Sequence, residues 1–156
     1  ENTVAELMDR CGCYSELKLR RTLTNSVMLS SDVSAGFDPN YPAVFERKNS
    51  AYMGHGLALN KYTGSRGKGG CNDASPEFIA HLRQIMDEDG VSWQTAELGR
   101  VDEGGGGTIA YILGNYNMMV IDAGVPVHNM HAPWEVVSKA DVYEAMRGYV
   151  TFLQKA

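Results

Sequence analysis

Apolar residues recur at intervals of three and four near the start of the chain, which is the spacing of one face of an α-helix. The pattern runs from Val4 to Cys11, and Gly12 follows it as a stop. A second helix is predicted to begin after Ser15, a residue type that caps helices, and to end near Asn25. Two short helices are therefore expected at the start of the chain.

Two longer helices are predicted further along. Ser75 caps the first of them, Pro76 occupies its first turn and Gly90 ends it. The residues expected to form its buried stripe are Phe78, Ile79, Leu82, Ile85 and Met86. The last helix of the chain is capped near Ser138. Its buried stripe is expected to comprise Val142, Met146, Val150 and Leu153.

Four apolar runs are too short for helices and predict strands instead. They lie at Ser26–Ser31, Leu57–Tyr62, Val91–Glu97 and Met118–Asp122. A further helix is expected from Thr108 to about Tyr116. Because strands alternate with helices, the pattern predicts an α/β fold in which helices cover both faces of a sheet and the strand ends supply the residues of a site.

Two glycine-rich segments resemble nucleotide-binding loops in composition but not in spacing. For the segment from Gly64 to Gly70, a P-loop that ends in Gly67 and Lys68 would need a glycine five positions before Gly67, where Tyr62 stands. In the segment from Gly104 to Gly107, a dinucleotide loop would need one where Ile109 stands. The first segment is predicted to be mobile. The second either brings backbone N–H groups close to an anionic or carbonyl oxygen or forms a simple flexible turn.

Asp32 and His131 are candidate site residues that also have ordinary structural explanations. Asp32 follows a predicted strand, where an aspartate commonly caps a turn. His128 and His131 are three positions apart, and the nearby Pro126 and Pro133 favour an extended chain in which their side chains point to opposite sides. We therefore expect only one of the two histidines to enter a given site.

Composition narrows the class of protein. The chain has 156 residues, of which 44% are apolar and 21% charged, values typical of one globular domain with its own core. Its formal net charge of −5 argues against nucleic acid or an anionic membrane as a partner. Three cysteines without zinc-finger spacing indicate a reducing compartment, and no apolar run reaches the ~18 residues of a membrane span. A cytoplasmic location is expected.

Several motifs, taken together and in order, resemble those of one enzyme family. They are Ser30–Asp32, Asp38–Tyr41, the segment GGGTIAYIL at 105–113, Gly124–Pro126 and Met130–Glu135. The resemblance is to the aspartyl aminopeptidase and vacuolar aminopeptidase I family of two-metal exopeptidases, and it extends over nearly the whole chain. It implies a three-layer, mixed α/β sheet of the zinc-exopeptidase type and a site for two metal ions, usually zinc, with cobalt or manganese as alternatives.

The resemblance also implies roles for individual residues. Asp32 matches the second metal-binding Asp of the family, and His131 matches its final His. Oxygen and imidazole ligands suit two cations that polarise a scissile carbonyl and activate a bridging water. Lys61 lies where the family has a basic stretch near the substrate, with Arg66 and Lys68 beside it, although a solvated loop explains these residues equally well.

Substrate contact is also expected from the glycine segment, at Gly105, Gly106 and Gly107. Ala35 stands where eukaryotic aspartyl members have a His, which favours the bacterial aminopeptidase I branch. The first metal-binding His, the bridging Asp and the Glu pair that includes the general base match nothing in this chain. We therefore expect residues 1–156 to be the carboxyl-terminal part of a metallopeptidase catalytic domain, cut from a longer chain that begins before Glu1.

Two functional hypotheses follow. In the first, the parent protein is a homo-oligomeric, cytoplasmic metalloaminopeptidase that hydrolyses the amino-terminal residue from peptides, and the isolated chain is inactive because it holds no catalytic residue. In the second, the chain is a noncatalytic α/β module that serves packing or binding.

Overall fold

The computed structural model describes residues 1–65, 69–100 and 106–156. Its helices are α1 (Asn2–Arg10), α2 (Glu16–Thr24), α3 (Pro76–Glu88), α4 (Ala110–Gly114) and α5 (Lys139–Lys155), with a 3₁₀ turn at Pro42–Val44. Its strands are β1 (Val27–Ser30), β2 (Ser34–Ala35), β3 (Leu57–Asn60), β4 (Tyr62–Ser65), β5 (Gly69–Asp73), β6 (Trp93–Ala96), β7 (Met119–Gly124), β8 (Pro126–His128) and β9 (Val136–Val137). Within the described ranges, no helix is long and apolar enough to cross a membrane.

The predicted ends of α2, α3 and α5 that rest on caps and glycines are confirmed, whereas the helix predicted from Thr108 to about Tyr116 is shorter, at Ala110–Gly114. Ser15, Ser75 and Ser138 each precede a helix, and the side-chain oxygen of each accepts a hydrogen bond from the backbone N–H three residues later. Gly12 and Gly90 follow α1 and α3 with φ values of +66° and +62°. Glycine adopts this left-handed conformation without strain, which is why helices often end beside it.

The main sheet has the strand order β1-β7-β3-β6. β1 is parallel to β7 and β6 is parallel to β3, whereas β3 and β7 are antiparallel, so the sheet is mixed. A second sheet has the order β2-β8-β9, and β4 pairs with β5 as a hairpin. The predicted fold class, an α/β fold with mixed sheets flanked by helices, is confirmed.

The main core lies where α3 and α5 pack against each other and against the central strands β3 and β7. Its buried apolar members are Leu57, Leu59, Ala74, Phe78, Leu82, Ile85, Met86, Val91, Ile121, Ala123 and Ala145. Four of the five residues predicted for the stripe of α3 belong to this cluster, and the fifth, Ile79, packs at its edge. The predicted orientation of α3 is therefore confirmed.

The predicted orientation of α5 is wrong. Val142, Met146, Val150 and Leu153 are exposed, the last of them by 82%. The buried residues of α5 are instead Asp141, Ala145, Gly148 and Thr151. Helix α5 comes so close to the core that a Cβ added to Gly148 would lie 2.8 Å from Leu57 Cδ2. Small side chains therefore fill the closest part of this contact, Tyr149 and Phe152 pack at its edge, and the four residues of the predicted stripe are left outside.

The glycine-rich segment after Tyr62 also differs from its prediction. Gly64 lies in β4, and Gly69 and Gly70 lie in β5, which pairs with β4 as an antiparallel hairpin. Strands therefore form the two ends of the segment that was expected to be mobile, while its middle, with Arg66, Gly67 and Lys68, lies outside the described residues. Short strands β8 and β9 also form on either side of Pro133, in a part of the chain where the sequence analysis predicted no strand.

Candidate metal and substrate site

Asp32 lies just beyond the carboxyl end of β1. Its Oδ1 accepts a hydrogen bond from the backbone N–H of Val33 at 2.9 Å, which fixes the direction of the carboxylate at the strand end. The backbone of Asp32 lies directly against Gly124, where any Cβ would overlap the Asp32 carbonyl. Glycine at position 124 therefore allows β1 and β7 to end side by side, and this contact places Asp32 at the edge of the sheet.

His131 is held in a turn between β8 and β9. Its φ of +66° is left-handed, a conformation that costs a non-glycine residue of order 1–3 kcal/mol and often marks a functional position. The backbone N–H of His131 donates to the carboxylate of Glu135, and the N–H of Ala132 donates to the carbonyl of Asn129 at 2.9 Å. These contacts hold the backbone of the turn that carries His131.

His128 serves a different part of the molecule. It lies in β8, where its Nε2 is 2.9 Å from the carbonyl oxygen of Phe37. It lines a neighbouring cavity of about 400 Å³, to which neither Asp32 nor His131 contributes and which shares some of its walls with the cavity described next. The expectation that one histidine alone enters the site with Asp32 agrees with this geometry, although a left-handed turn, and not an extended chain, separates the two side chains.

One cavity of about 450 Å³ brings the candidate residues together. Asp32 and His131 both line it, and Gly106, Gly107 and Thr108 border it. Gly105 lies outside the described residues. The other lining residues are Val33, Ala35, Val44, Phe45, Leu98, Gly99 and Met130. A carboxylate, an imidazole and exposed glycine backbone therefore share a largely apolar cleft, an arrangement typical of small-ligand sites.

Lys61 is placed elsewhere. Its Nζ pairs with the carboxylate of Asp73, and its side chain is half-exposed. With Asn49, Thr95, Ala96 and Glu97 it lines a smaller depression of about 130 Å³. Burial raises the pKa of the Glu97 carboxyl, and the positive charge of Lys61 opposes that shift. Lys61 does not belong to the described lining of the larger cavity, so its contact with substrate stays a prediction.

Asp122 is a buried residue of the site region that the sequence analysis did not single out. It stands directly between Ser30 on β1 and Asn60 on β3, and all three residues are fully buried. Thr108 Oγ1 donates a hydrogen bond to Asp122 Oδ2 at 2.7 Å. Burial raises the pKa of the Asp122 carboxyl, whereas neighbouring hydroxyl groups, that of Thr108 foremost, lower it. The sequence signal that could have identified Asp122 is its position at the end of the apolar run MMVID, residues 118–122.

The donors in the cavity fit part of a zinc site. Aspartate oxygen and histidine nitrogen are both ordinary zinc ligands, and a catalytic zinc ion has three protein ligands as a rule. Across the residues that the structure describes, no group of three or more His, Cys, Asp and Glu side chains is placed to hold a metal ion. Asp32 and His131 therefore suit a zinc site only as two members of a larger ligand set.

Comparison with known proteins gives one consistent result. Residues 2–153 match the aminopeptidase I zinc metalloprotease family, M18. A Clostridium acetobutylicum protein named "Probable M18 family aminopeptidase 1" is 68% identical over 153 residues, which are 98% of this chain and 33% of that protein. The chain thus spans about a third of the length of this curated relative.

Solved structures agree with the sequence comparison. The crystal structure of aminopeptidase I from Clostridium acetobutylicum has a TM-score of 0.86 and 66% identity, and the match covers 97% of this chain and 32% of that one. The crystal structure of an M18-family aminopeptidase from Thermotoga maritima has a TM-score of 0.94 and 41% identity, with coverages of 99% and 35%. The fold described above is therefore also found within these larger crystal structures.

Proposed function

Because the chain belongs to the aminopeptidase I zinc metalloprotease family, we propose that it is the carboxyl-terminal part of the catalytic domain of a metalloaminopeptidase. The complete enzyme removes the amino-terminal residue from peptides. The observation that carries this proposal is that Asp32 and His131, 99 positions apart in the sequence, line the same cavity. Nothing in the core of the fold requires a carboxylate and an imidazole to meet there.

Asp32 and His131 are the metal ligands of this part of the site. Each holds one of two zinc ions, for which cobalt or manganese can substitute, and the other ligands come from protein outside this chain. The bound metal supplies charge that polarises a carbonyl and lowers the pKa of a bound water. The chain itself contributes to this arrangement: the Val33 N–H holds the carboxylate of Asp32, and the left-handed turn fixes the backbone that carries His131.

The glycine segment forms the substrate-facing side of the cavity. A Cβ added to Gly106 would have nothing within 4 Å, and one added to Gly107 would come no closer than 3.7 Å to its neighbours. The backbone at both residues is therefore open to a ligand, and we assign Gly105, Gly106 and Gly107 to contact with the peptide. Lys61 joins them only if its ammonium group leaves Asp73.

The remaining properties follow from the family resemblance. The general-base Glu lies outside this chain, so the chain alone turns over no substrate, because acid–base assistance is worth about 10²–10⁴-fold in rate. The complete protein is a cytoplasmic homo-oligomer that acts on peptides and binds neither nucleic acid nor a membrane.

The test is the hydrolysis of aminoacyl p-nitroanilides by the product of the complete open reading frame that contains this chain, loaded with zinc. We expect His131→Ala and Asp32→Ala to lower kcat/KM by more than about 100-fold, in the range seen when a group that acts directly in catalysis is removed. Metal content, measured by elemental analysis, should fall with each substitution. The matched control is His128→Ala, three positions away on β8 and outside the cavity. Full activity and metal content in His131→Ala would refute the assignment.

A further inference from the structure

Behind the cavity, a short chain of buried hydrogen bonds joins the middle of the sheet to the glycine segment. We propose that Asp122 is a positioning residue, which holds Thr108 and thereby sets the place of Gly106 and Gly107 against the substrate. This inference rests on the proposed function, since it assigns substrate contact to the glycine segment. Asp122 itself touches neither the substrate nor the metal.

The first observation is the location of a carboxylate in the centre of the sheet. Asp122 is fully buried between Ser30 and Asn60, on a strand whose preceding residues, Val120 and Ile121, belong to the apolar interior. Among the described residues, none completes a hydrogen bond to its Oδ1, although the hydroxyls of Ser30 and Thr63 are close enough to lower the pKa of the carboxyl. A buried carboxylate with one free oxygen costs stability, so an apolar residue would serve packing better at this position.

The second observation is what the other carboxylate oxygen does. Oδ2 accepts a hydrogen bond from the hydroxyl of Thr108 at 2.7 Å, and both residues are buried. The Thr108 hydroxyl oxygen also lies 3.2 Å from that of Thr63 on β4 and accepts a bond from the N–H of Ala110 at 3.3 Å. The Thr108 hydroxyl thus contacts Asp122 on β7, Thr63 on β4 and the backbone N–H of Ala110 at the start of α4.

The third observation concerns Gly106 and Gly107, the part of the glycine segment that the structure describes. Gly107 immediately precedes Thr108, and neither Gly106 nor Gly107 has a side chain that could pack. The space around Gly106 is open. Because the backbone of glycine is the least restricted of any residue, an anchored neighbour is needed to give this segment one conformation. Thr108 is that neighbour, and Asp122 holds it.

The experiment compares two threonines in the zinc-loaded product of the complete open reading frame. Thr108→Val removes the hydroxyl that binds Asp122. Thr151→Val is the matched control, because Thr151 is also buried and donates to an aspartate, Asp89, at 2.8 Å, but on α5 and away from the cavity. We expect kcat/KM to fall by roughly tenfold in Thr108→Val, mainly through a higher KM, because loss of alignment weakens substrate binding. Thr151→Val should leave kcat/KM and KM within about twofold of their original values, because Thr151 is distant from the cavity.

Two further measurements separate positioning from stability. Thr108→Ser keeps the hydroxyl and should restore KM to within about threefold of the original, since the same hydrogen bond can form. Amide hydrogen exchange in the peptide that contains Gly106 and Gly107 should be faster in Thr108→Val and unchanged in Thr151→Val. If Thr108→Val does not fold, Thr108→Ala gives the same comparison without the added bulk of valine.

The outcomes distinguish this inference from the proposed function. If Thr108→Val and Thr151→Val had the same KM and the same rate of amide hydrogen exchange at Gly106 and Gly107, the positioning role of Asp122 would be overturned. The aminopeptidase assignment would stay intact. If the complete protein hydrolyses no aminoacyl substrate, the proposed function fails. Faster exchange in Thr108→Val would in that case still support the link from Asp122 to the glycine segment, and unchanged exchange would refute it.

Discussion

Helices α3 and α5 pack against each other and against the same apolar cluster, to whose edge α5 adds Tyr149 and Phe152, yet the residues that the two helices bury fully differ in kind. α3 buries four large apolar side chains, at Phe78, Leu82, Ile85 and Met86. α5 buries Asp141, Ala145, Gly148 and Thr151 and leaves its apolar stripe outside. The same periodic pattern therefore identifies the inward face of one helix and the outward face of the other.

The difference shows what hydrophobic periodicity measures. An apolar stripe indicates that one face of a helix can be covered by other protein, but it does not identify the element that covers it. On α5 the inward face is fixed by proximity and by polar contacts. Gly148 approaches Leu57, and the carboxylate of Asp141 accepts the backbone N–H groups of Gly54 and Gly56 at 2.7 and 2.8 Å. The outward stripe borders an apolar groove of about 410 Å³.

The largest effect is expected at Leu82 on α3. This side chain is completely buried in the apolar cluster, so Leu82→Ala should destabilise the 156-residue chain by about 2–5 kcal/mol through lost burial and a residual cavity. Urea denaturation monitored by circular dichroism measures the change. His81→Ala, one position away on the exposed side of α3, is the control and should change the stability by less than about 0.5 kcal/mol. A cost below about 1 kcal/mol at Leu82 would show that α3 is loosely packed.

A smaller effect is expected at Gly148 on the inward face of α5. An alanine Cβ there would lie 2.8 Å from Leu57 Cδ2 and 3.4 Å from Met86 Sδ, so the neighbours must move. Overpacking of this kind costs about 1–3 kcal/mol, and the better helix propensity of alanine offsets up to about 1 kcal/mol. We therefore expect Gly148→Ala to destabilise the chain by about 0.5–2 kcal/mol in the same assay. Stabilisation by about 1 kcal/mol, the value for an unpacked helical glycine, would mean that α5 does not approach the core.

These two helices also show how far the sequence alone can predict this fold. Local signals sufficed for the helix ends, because the caps at Ser15, Ser75 and Ser138 involve residues only three positions apart. Long-range contacts did not follow from local patterns. The hairpin of β4 and β5 was missed because its glycines suggested mobility, and the inward face of α5 depends on the approach to Leu57.

The candidate site divides in the same way. Motif resemblance identified Asp32 and His131, and the structure places both on one cavity. The place of Asp122 in the centre of the sheet depends on strand register, which pairs it with Ser30 and Asn60, 92 and 62 positions away, and so determines what Thr108 can bind. No local pattern carries that information, so these features emerged only from the fold.

The smallest effect is expected at Leu153, on the outward stripe of α5. Its side chain is 82% exposed, so folding of this chain removes little of its surface from water, and alanine is a slightly better helix former than leucine. Leu153→Ala should therefore change the stability of the 156-residue chain by less than about 0.5 kcal/mol, in contrast to the same substitution at Leu82. A cost above about 2 kcal/mol would place Leu153 in a packed environment and would remove the contrast between the two helices.

The same pair of variants, Leu82→Ala and Leu153→Ala, in the product of the complete open reading frame sharpens the comparison. A larger cost of Leu153→Ala in that protein than in the 156-residue chain would show that protein outside this chain covers the stripe, and an equal, small cost would show that the stripe stays exposed.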